Sequence, residues 1–181
     1  MILTTQRLQL RPWRETDAAA LYEYARDPRI GPIAGWPPHR SVEESREIIR
    51  TVFADDGVFA VTLRDDDRAI GCIGVQRGAA SNLPIPEDEG EIGYWIGVPF
   101  WGMGLIPEAM REVIRYAFED LGLRSLWCGY FDGNEKSRRA QEKCGFRHHH
   151  TEEIPDVLGE GDCRIEHLSI LSREEWEAMR E

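Results

Sequence analysis

The segment Glu91 to Ala109, EIGYWIGVPFWGMGLIPEA, constrains this chain more than any other. An apolar run over Glu89 to Val98 reads as a strand, and its glycines Gly93 and Gly97 signal a bulge or a close backbone approach. The turn Trp101-Gly102-Met103-Gly104 then feeds the strongest helical pattern of the sequence. Ile106, Ala109, Met110, Val113, Ile114, Ala117, Phe118 and Leu121 recur there at helical spacing without a miss. Pro107 suits the first turn, where its missing N–H costs nothing. Glycines ahead of a helix let successive N–H groups converge on one point, and the helix dipole adds positive charge there. Such a bend is suited to an anion such as a pyrophosphate, although a lone G-x-G reads equally as a plain tight turn. No Lys-Ser or Lys-Thr follows it, so it is not a Walker-type loop. Pro107 stands where G-x-G-x-x-G needs its third glycine, which argues against a dinucleotide-binding domain.

The rest of the chain supplies the frame. Leu8 to Pro12 reads as a short strand and Asp17 to Arg26 as a helix stopped by Pro28. Gly31 to His39 is too rich in Gly and Pro for anything but a loop. Ser41-Val42-Glu43-Glu44 has the spacing of a capping box, opening a helix with Val42, Ser45, Ile49, Val52 and Phe53 on one face. Val58 to Arg64 and Ala69 to Arg77 form an antiparallel hairpin, followed by a loop from Gly78 to Asp88. Ser125 to Phe131 is a strand and Glu135 to Cys144 a helix, with Gly145 at its C-cap. Phe146 to Ile154 and Cys163 to Leu171 are closing strands, and Ser172-Arg173-Glu174-Glu175 is a second capping box. The fold class is a mixed α/β sheet with helices on its faces, and 181 residues fit one domain, 1–181.

A net charge of −11 argues against a nucleic-acid partner, since phosphate binding needs clustered Lys and Arg, and suits a cationic amine. With neither a signal peptide nor an apolar run of membrane-spanning length, the expected compartment is the cytoplasm and no membrane partner is expected. Cys72, Cys128, Cys144 and Cys163 are scattered, matching neither a zinc site nor a disulfide framework. His148-His149-His150 gives two histidines on one face of a strand, too few for a metal, so no metal is expected.

Four motifs, E-I-G-Y-W, W-G-x-G-x-x-x-E-A, N-x-x-S and E-K-x-G-F, occur in this order across nearly the whole chain. Together they resemble the GCN5-related N-acetyltransferase (GNAT) family, in its RimJ/RimL-like, ribosomal-protein N-acetyltransferase branch. The W-P-P loop and the closing H-L-S-I strand are similar to that branch as well. The resemblance implies a central, mostly antiparallel sheet with a splayed parallel strand pair, flanked by helices. It implies acetyl-CoA as cosubstrate and a primary amine, on a protein N-terminus or a small molecule, as acceptor. The amides of Gly102, Met103, Gly104, Leu105 and Ile106, in the turn opened by Trp101, would hold the CoA pyrophosphate. The strand end Ile96, Gly97 and Val98 would pair with the pantetheine amides. Asn134 and Ser137 would flank the thioester, and Arg138 would meet a phosphate.

Direct attack by a neutral amine requires a base for the ammonium and an acid for the departing thiolate. Glu91 matches the strand position where family members carry a carboxylate acting through water, with Glu89 on the same strand face second. Ser137 is the candidate proton donor, since Gln141 stands where many members have a Tyr donor. Trp101 replaces an Arg or Gln, and Ile106 a Gly or Ala, changes that leave backbone phosphate binding intact. The alternative is a non-catalytic CoA-binding module of the same fold. The acceptor and the oligomeric state, a homodimer among the options, stay open.

Overall fold

The computed structural model describes residues 1–156, 158, 161 and 163–180. The strands follow one another in the order β1-β2-β3-β4-β5-β6-β8-β7, and the chain divides into two compact units. Residues 1–74 and 94–112 make the first, residues 75–93 and 113–181 the second.

In the first unit, β1 (Leu3–Thr4), β2 (Leu8–Pro12), β3 (Val58–Leu63) and the first part of β4 (Asp66–Arg77) are antiparallel neighbours. β3 is an unbroken buried run, as a strand covered on both faces must be. Its cover includes α1 (Ala18–Ala25) and α3 (Val42–Thr51), which put Leu21, Ala25 and Ile49 into a core with Trp13, Val58 and Cys72. Trp13 stacks on Phe53 at 4.9 Å. Arg11 is buried and saturated. Its guanidinium donates to both oxygens of buried Asp17 at 2.7 and 2.8 Å and to the Asp67 carboxylate at 2.6 Å, tying the β3–β4 turn to β2.

Two local expectations are corrected here. Within the stretch Gly31 to His39 a short helix, α2 (Gly31–Ala34), forms ahead of Gly35 at φ 92°. Pro32 in the first turn suits that helix, and a Cβ at Gly31 would lie 2.5 Å from the Trp36 carbonyl oxygen, so only glycine fits. The capping box at Ser41 is half made. Ser41 Oγ accepts from the Glu44 N–H at 3.0 Å, but the Glu44 carboxylate turns to the Arg40 N–H instead.

The second unit contains the start of β5 (Glu89–Ile96), then β6 (Ser125–Phe131), β7 (Arg147–Pro155) and β8 (Cys163–Ser172). β5 and β6 are parallel, and β8 runs antiparallel to both β6 and β7. The long helical pattern resolves into α4 (Leu105–Arg115), begun in the first unit, and a wider π-helical turn over Tyr116–Asp120. There the Leu121 N–H reaches the Tyr116 carbonyl, and the Arg173 guanidinium takes the carbonyls of Phe118 and Leu123. Helix α5 (Glu135–Glu142) closes on Gly145 at φ 94°, where the Phe146 N–H bonds back to the Gln141 carbonyl. The capping box at Ser172 is complete and opens α6 (Arg173–Ala178).

The histidine run departs from simple alternation. A bulge between His148 and His150 pairs them with Ser169 and Leu168, neighbours on opposite faces of β8, so the two do not share a side. His148 instead bonds Thr151 at 3.0 Å and His149 bonds His150 at 2.7 Å. Among the described residues no three His, Cys, Asp or Glu side chains converge on a metal position, and no helix is long and apolar enough to cross a membrane.

Candidate active site

In the first unit the chain leaves β5 through a 3-10 turn, Val98–Phe100, and bends at Gly102 (φ 74°) and Gly104 (φ 71°) into α4. Residues with a side chain rarely take that left-handed conformation, so the pair of glycines sets the shape of the bend. No acceptor among the described residues takes a hydrogen bond from the N–H groups of residues 102–106. Successive amides at the start of a helix, with the positive end of the dipole behind them, suit an anion.

The bend is buttressed. Glu108, in the first turn of α4, accepts from the Thr5 hydroxyl at 2.6 Å, the Arg7 N–H at 2.8 Å and Arg7 Nε at 2.7 Å. Arg7 also donates to the Met103 carbonyl at 3.0 Å, inside the bend itself. Burial pushes the Glu108 carboxyl up, but these three donors outweigh it and hold the group below its usual range. Trp101, in place of the family's polar residue, donates its indole N–H to the Ile96 carbonyl at 3.0 Å, and Ile106 is buried.

The strand end at Ile96, Gly97 and Val98 makes hydrogen bonds within the chain. The Gly97 N–H bonds the Ile70 carbonyl, and the carbonyls of Gly97 and Val98 accept from Phe100 and Trp101. These groups therefore close the 3-10 turn. A Cβ at Gly97 would lie 2.7 Å from the Tyr24 ring, so the expected close approach is real.

In the second unit the β5–β6 ladder registers three pairs, Glu89 with Ser125, Gly90 with Leu126 and Glu91 with Trp127. Beyond Glu91 the two strands separate, and the thiol of Cys128 donates to the Ile92 carbonyl at 3.1 Å. Glu91 therefore stands at the fork. Its Oε2 accepts from the Ser81 hydroxyl at 2.6 Å and from the Asn82 N–H at 2.8 Å, fastening the loop after β4. Glu89 is buried and committed to Arg124 at 2.6 Å and the Trp127 indole N–H at 2.5 Å.

Asn134 caps α5, its Oδ1 accepting from the Ser137 N–H at 3.1 Å. Gln141 is buried and donates to the Gly129 carbonyl at 3.0 Å and to Ser137 Oγ at 3.3 Å, so it orients the serine hydroxyl. Arg138 is neutralised by Glu135 and Glu142, each at 2.6 Å, and these carboxylates raise its pKa. The phosphate role expected of Arg138 would require giving up both partners.

Two features escaped the sequence reading. Thr5, Arg7 and Glu108 form one support, although only Glu108 lay within a recognised motif. Glu166 on β8 is the other, a half-buried carboxylate beside Gly129. A side chain meeting its partner from a distant strand leaves no periodic signal.

A family model described as an acetyltransferase (GNAT) domain matches residues 7–147. The chain belongs to the GNAT acetyltransferase family. The N-acetyltransferase YoaA of Bacillus subtilis is 30% identical over 151 residues, 81% of this chain and 82% of YoaA. YdaF of the same organism, whose name proposes it as a ribosomal N-acetyltransferase, is 46% identical over 65 residues, 36% of each chain. The matched stretch thus spans about a third of YdaF. Among solved structures, RimJ of Mycobacterium smegmatis in complex with CoA-disulfide aligns with a TM-score of 0.75 and 21% identity. That alignment covers 96% of this chain and 88% of RimJ. At that identity the likeness concerns the fold.

Proposed function

We propose that the protein transfers the acetyl group of acetyl-CoA directly to a primary amine, residues 1–181 working as one N-acetyltransferase domain. The observation that carries the reading is the bend at residues 102–106, whose amides meet no acceptor among the described residues. In a GNAT chain such a bend suits the CoA pyrophosphate. The pantetheine arm pairs with the strand end at Ile96, Gly97 and Val98. Glu91 presents negative charge to the incoming ammonium at the fork. Ser137, its oxygen held by Gln141, protonates the departing thiolate. A cytoplasmic location suits the supply of acetyl-CoA.

For the acceptor, the ribosomal wording in YdaF's name supports a protein amine, and the charge of −11 favours a cation of any size. The test is thiol release from acetyl-CoA across a panel of N-terminal peptides, polyamines and aminoglycosides, with Glu91→Gln and Ser137→Ala beside the parent. Release with at least one amine, reduced in both variants, supports the reading. Tight CoA binding without transfer to any amine would instead establish the non-catalytic module. Refusal of CoA would refute the cosubstrate assignment.

A further inference from the structure

We propose that Glu166, across β6 from Glu91, is the group that takes the proton from the acceptor ammonium, Glu91 acting as a positioning residue. This rests on the acetyl-transfer reading above and divides its acid–base roles.

The argument begins with facing. Glu91 pairs with Trp127, and Trp127, Gly129 and Phe131 alternate onto one face of β6. Phe131 pairs with Glu166, so Glu91 and Glu166 approach β6 on that same face from its two sides. Between them lies Gly129, which has no side chain. Glu166 uses that gap, since a Cβ on Gly129 would lie 2.3 Å from its Oε1. Any other residue at 129 would drive the carboxylate away.

The three carboxylates near the fork then differ in what they have left to offer. Glu89 is spent on Arg124 and Trp127. Glu91 already accepts two hydrogen bonds on one oxygen, from the Ser81 hydroxyl and the Asn82 N–H. Glu166 accepts no side-chain hydrogen bond among the described residues. Burial pushes its carboxyl up, and the charges of Glu91 on β5 and Glu152 on β7 push the same way, against Arg164 on its own strand. β6 presents Gly129 and Phe131 there, neither of them charged. A carboxylate with raised proton affinity and uncommitted oxygens is the better base at neutral pH.

The step balances as follows. Glu166 removes one proton from the ammonium. The neutral nitrogen attacks the thioester carbon, the C–N bond forms and the C–S bond breaks. The second nitrogen proton reaches the departing sulfur by way of the Ser137 hydroxyl, and Glu166 returns its proton to water. Glu91 touches no reacting atom in this scheme; it fastens the loop at Ser81 and Asn82 and raises the proton affinity of Glu166.

The experiment uses the full chain with acetyl-CoA and two probe amines, a tetrapeptide with a free amino terminus and putrescine. Glu166→Gln, Gly129→Ala and Glu91→Gln are compared by kcat, by calorimetric CoA affinity and by the pH dependence of kcat. Glu166→Gln is expected to lose roughly 100-fold in kcat with CoA affinity unchanged. Gly129→Ala keeps the carboxylate but displaces it, and should lose a comparable factor. Glu91→Gln should lower kcat by a smaller factor than Glu166→Gln, since the loop it fastens is released, while the acid limb of the profile moves to lower pH because one repelling charge is gone. Carbon-13 titration of the glutamate carboxyls, with Glu166→Gln identifying the resonance, should show that downward movement without substrate. Glu166→Gln within twofold of the parent, or a loss confined to Glu91→Gln, overturns the assignment. A parent that binds CoA yet acetylates neither these probes nor any amine of the panel overturns the transfer reading as well.

Discussion

Replacing Gly104 tests the phosphate bend with little steric interference. A Cβ at Gly102 would meet nothing within 4 Å, and one at Gly104 only Arg7 Nη2 at 3.7 Å. Alanine at either position therefore fits, and its cost is the left-handed backbone itself, about 1–2 kcal/mol. In a chain of this length that corresponds to a melting shift of roughly 2–8 °C. The chain can escape the strain only by rotating the bend, and rotation aims the amides elsewhere. Losing one amide bond to a charged phosphate oxygen removes about 1.5–3 kcal/mol, or roughly 10- to 100-fold in CoA affinity. Asparagine tolerates the left-handed region better than alanine, and valine worse, so CoA affinity should fall in the order Asn, Ala, Val at position 104. Isothermal calorimetry with CoA and thermal melting without ligand separate the two effects. A Gly104→Val protein that melts lower but binds CoA like the parent would refute the assignment of the pyrophosphate to this bend.

Other perturbations reach further into the frame. Glu108→Ala strands the Thr5 hydroxyl and the Arg7 N–H and should cost about 2–4 kcal/mol in urea denaturation, with weaker CoA binding because Arg7 also holds Met103. Arg11→Met leaves Asp17 buried without its partner and should cost about 3–5 kcal/mol, with much of the loss recovered in Arg11→Met/Asp17→Leu. The Glu108 carboxyl is held low in the folded state, so its contribution is present above the unfolded pKa and lost as pH falls through the folded one. Glu108→Gln should flatten the acid side of a stability–pH curve. Glu166 has the opposite sign: its folded pKa is raised, so stability is lost as pH rises through it, and Glu166→Gln should gain more stability at pH 7 than at pH 4. Of the four thiols, exposed Cys163 should react with Ellman's reagent at once, and Cys72, buried with its thiol pushed up to about 12, only on unfolding.

The frame was largely legible because its signals are local. β2 and β6 fall where alternation puts them, and α5 ends at Gly145 because a left-handed C-cap needs glycine. The bend was legible for the same reason, since two glycines before an amphipathic helix state its conformation. Misreadings arose where local backbone geometry broke the expected pattern. Trp36 folding over Gly31 made a helix of an expected loop, and a bulge in β7 turned His148 and His150 to opposite faces.

The candidate site divides along the same line. The family resemblance marked Glu91 and Ser137, since its motifs place an acid on a strand and a serine at a helix start within a few positions. Which partners each carboxylate meets was decided elsewhere, by Ser81 and Asn82 for Glu91, by Arg124 and Trp127 for Glu89, and by the gap over Gly129 for Glu166. The order of residues along the chain determined the elements and the glycine bend before α4, which depend on neighbours three or four positions away. Proton affinity depends on burial and on charges brought across strands, and only the folded sheet supplies those.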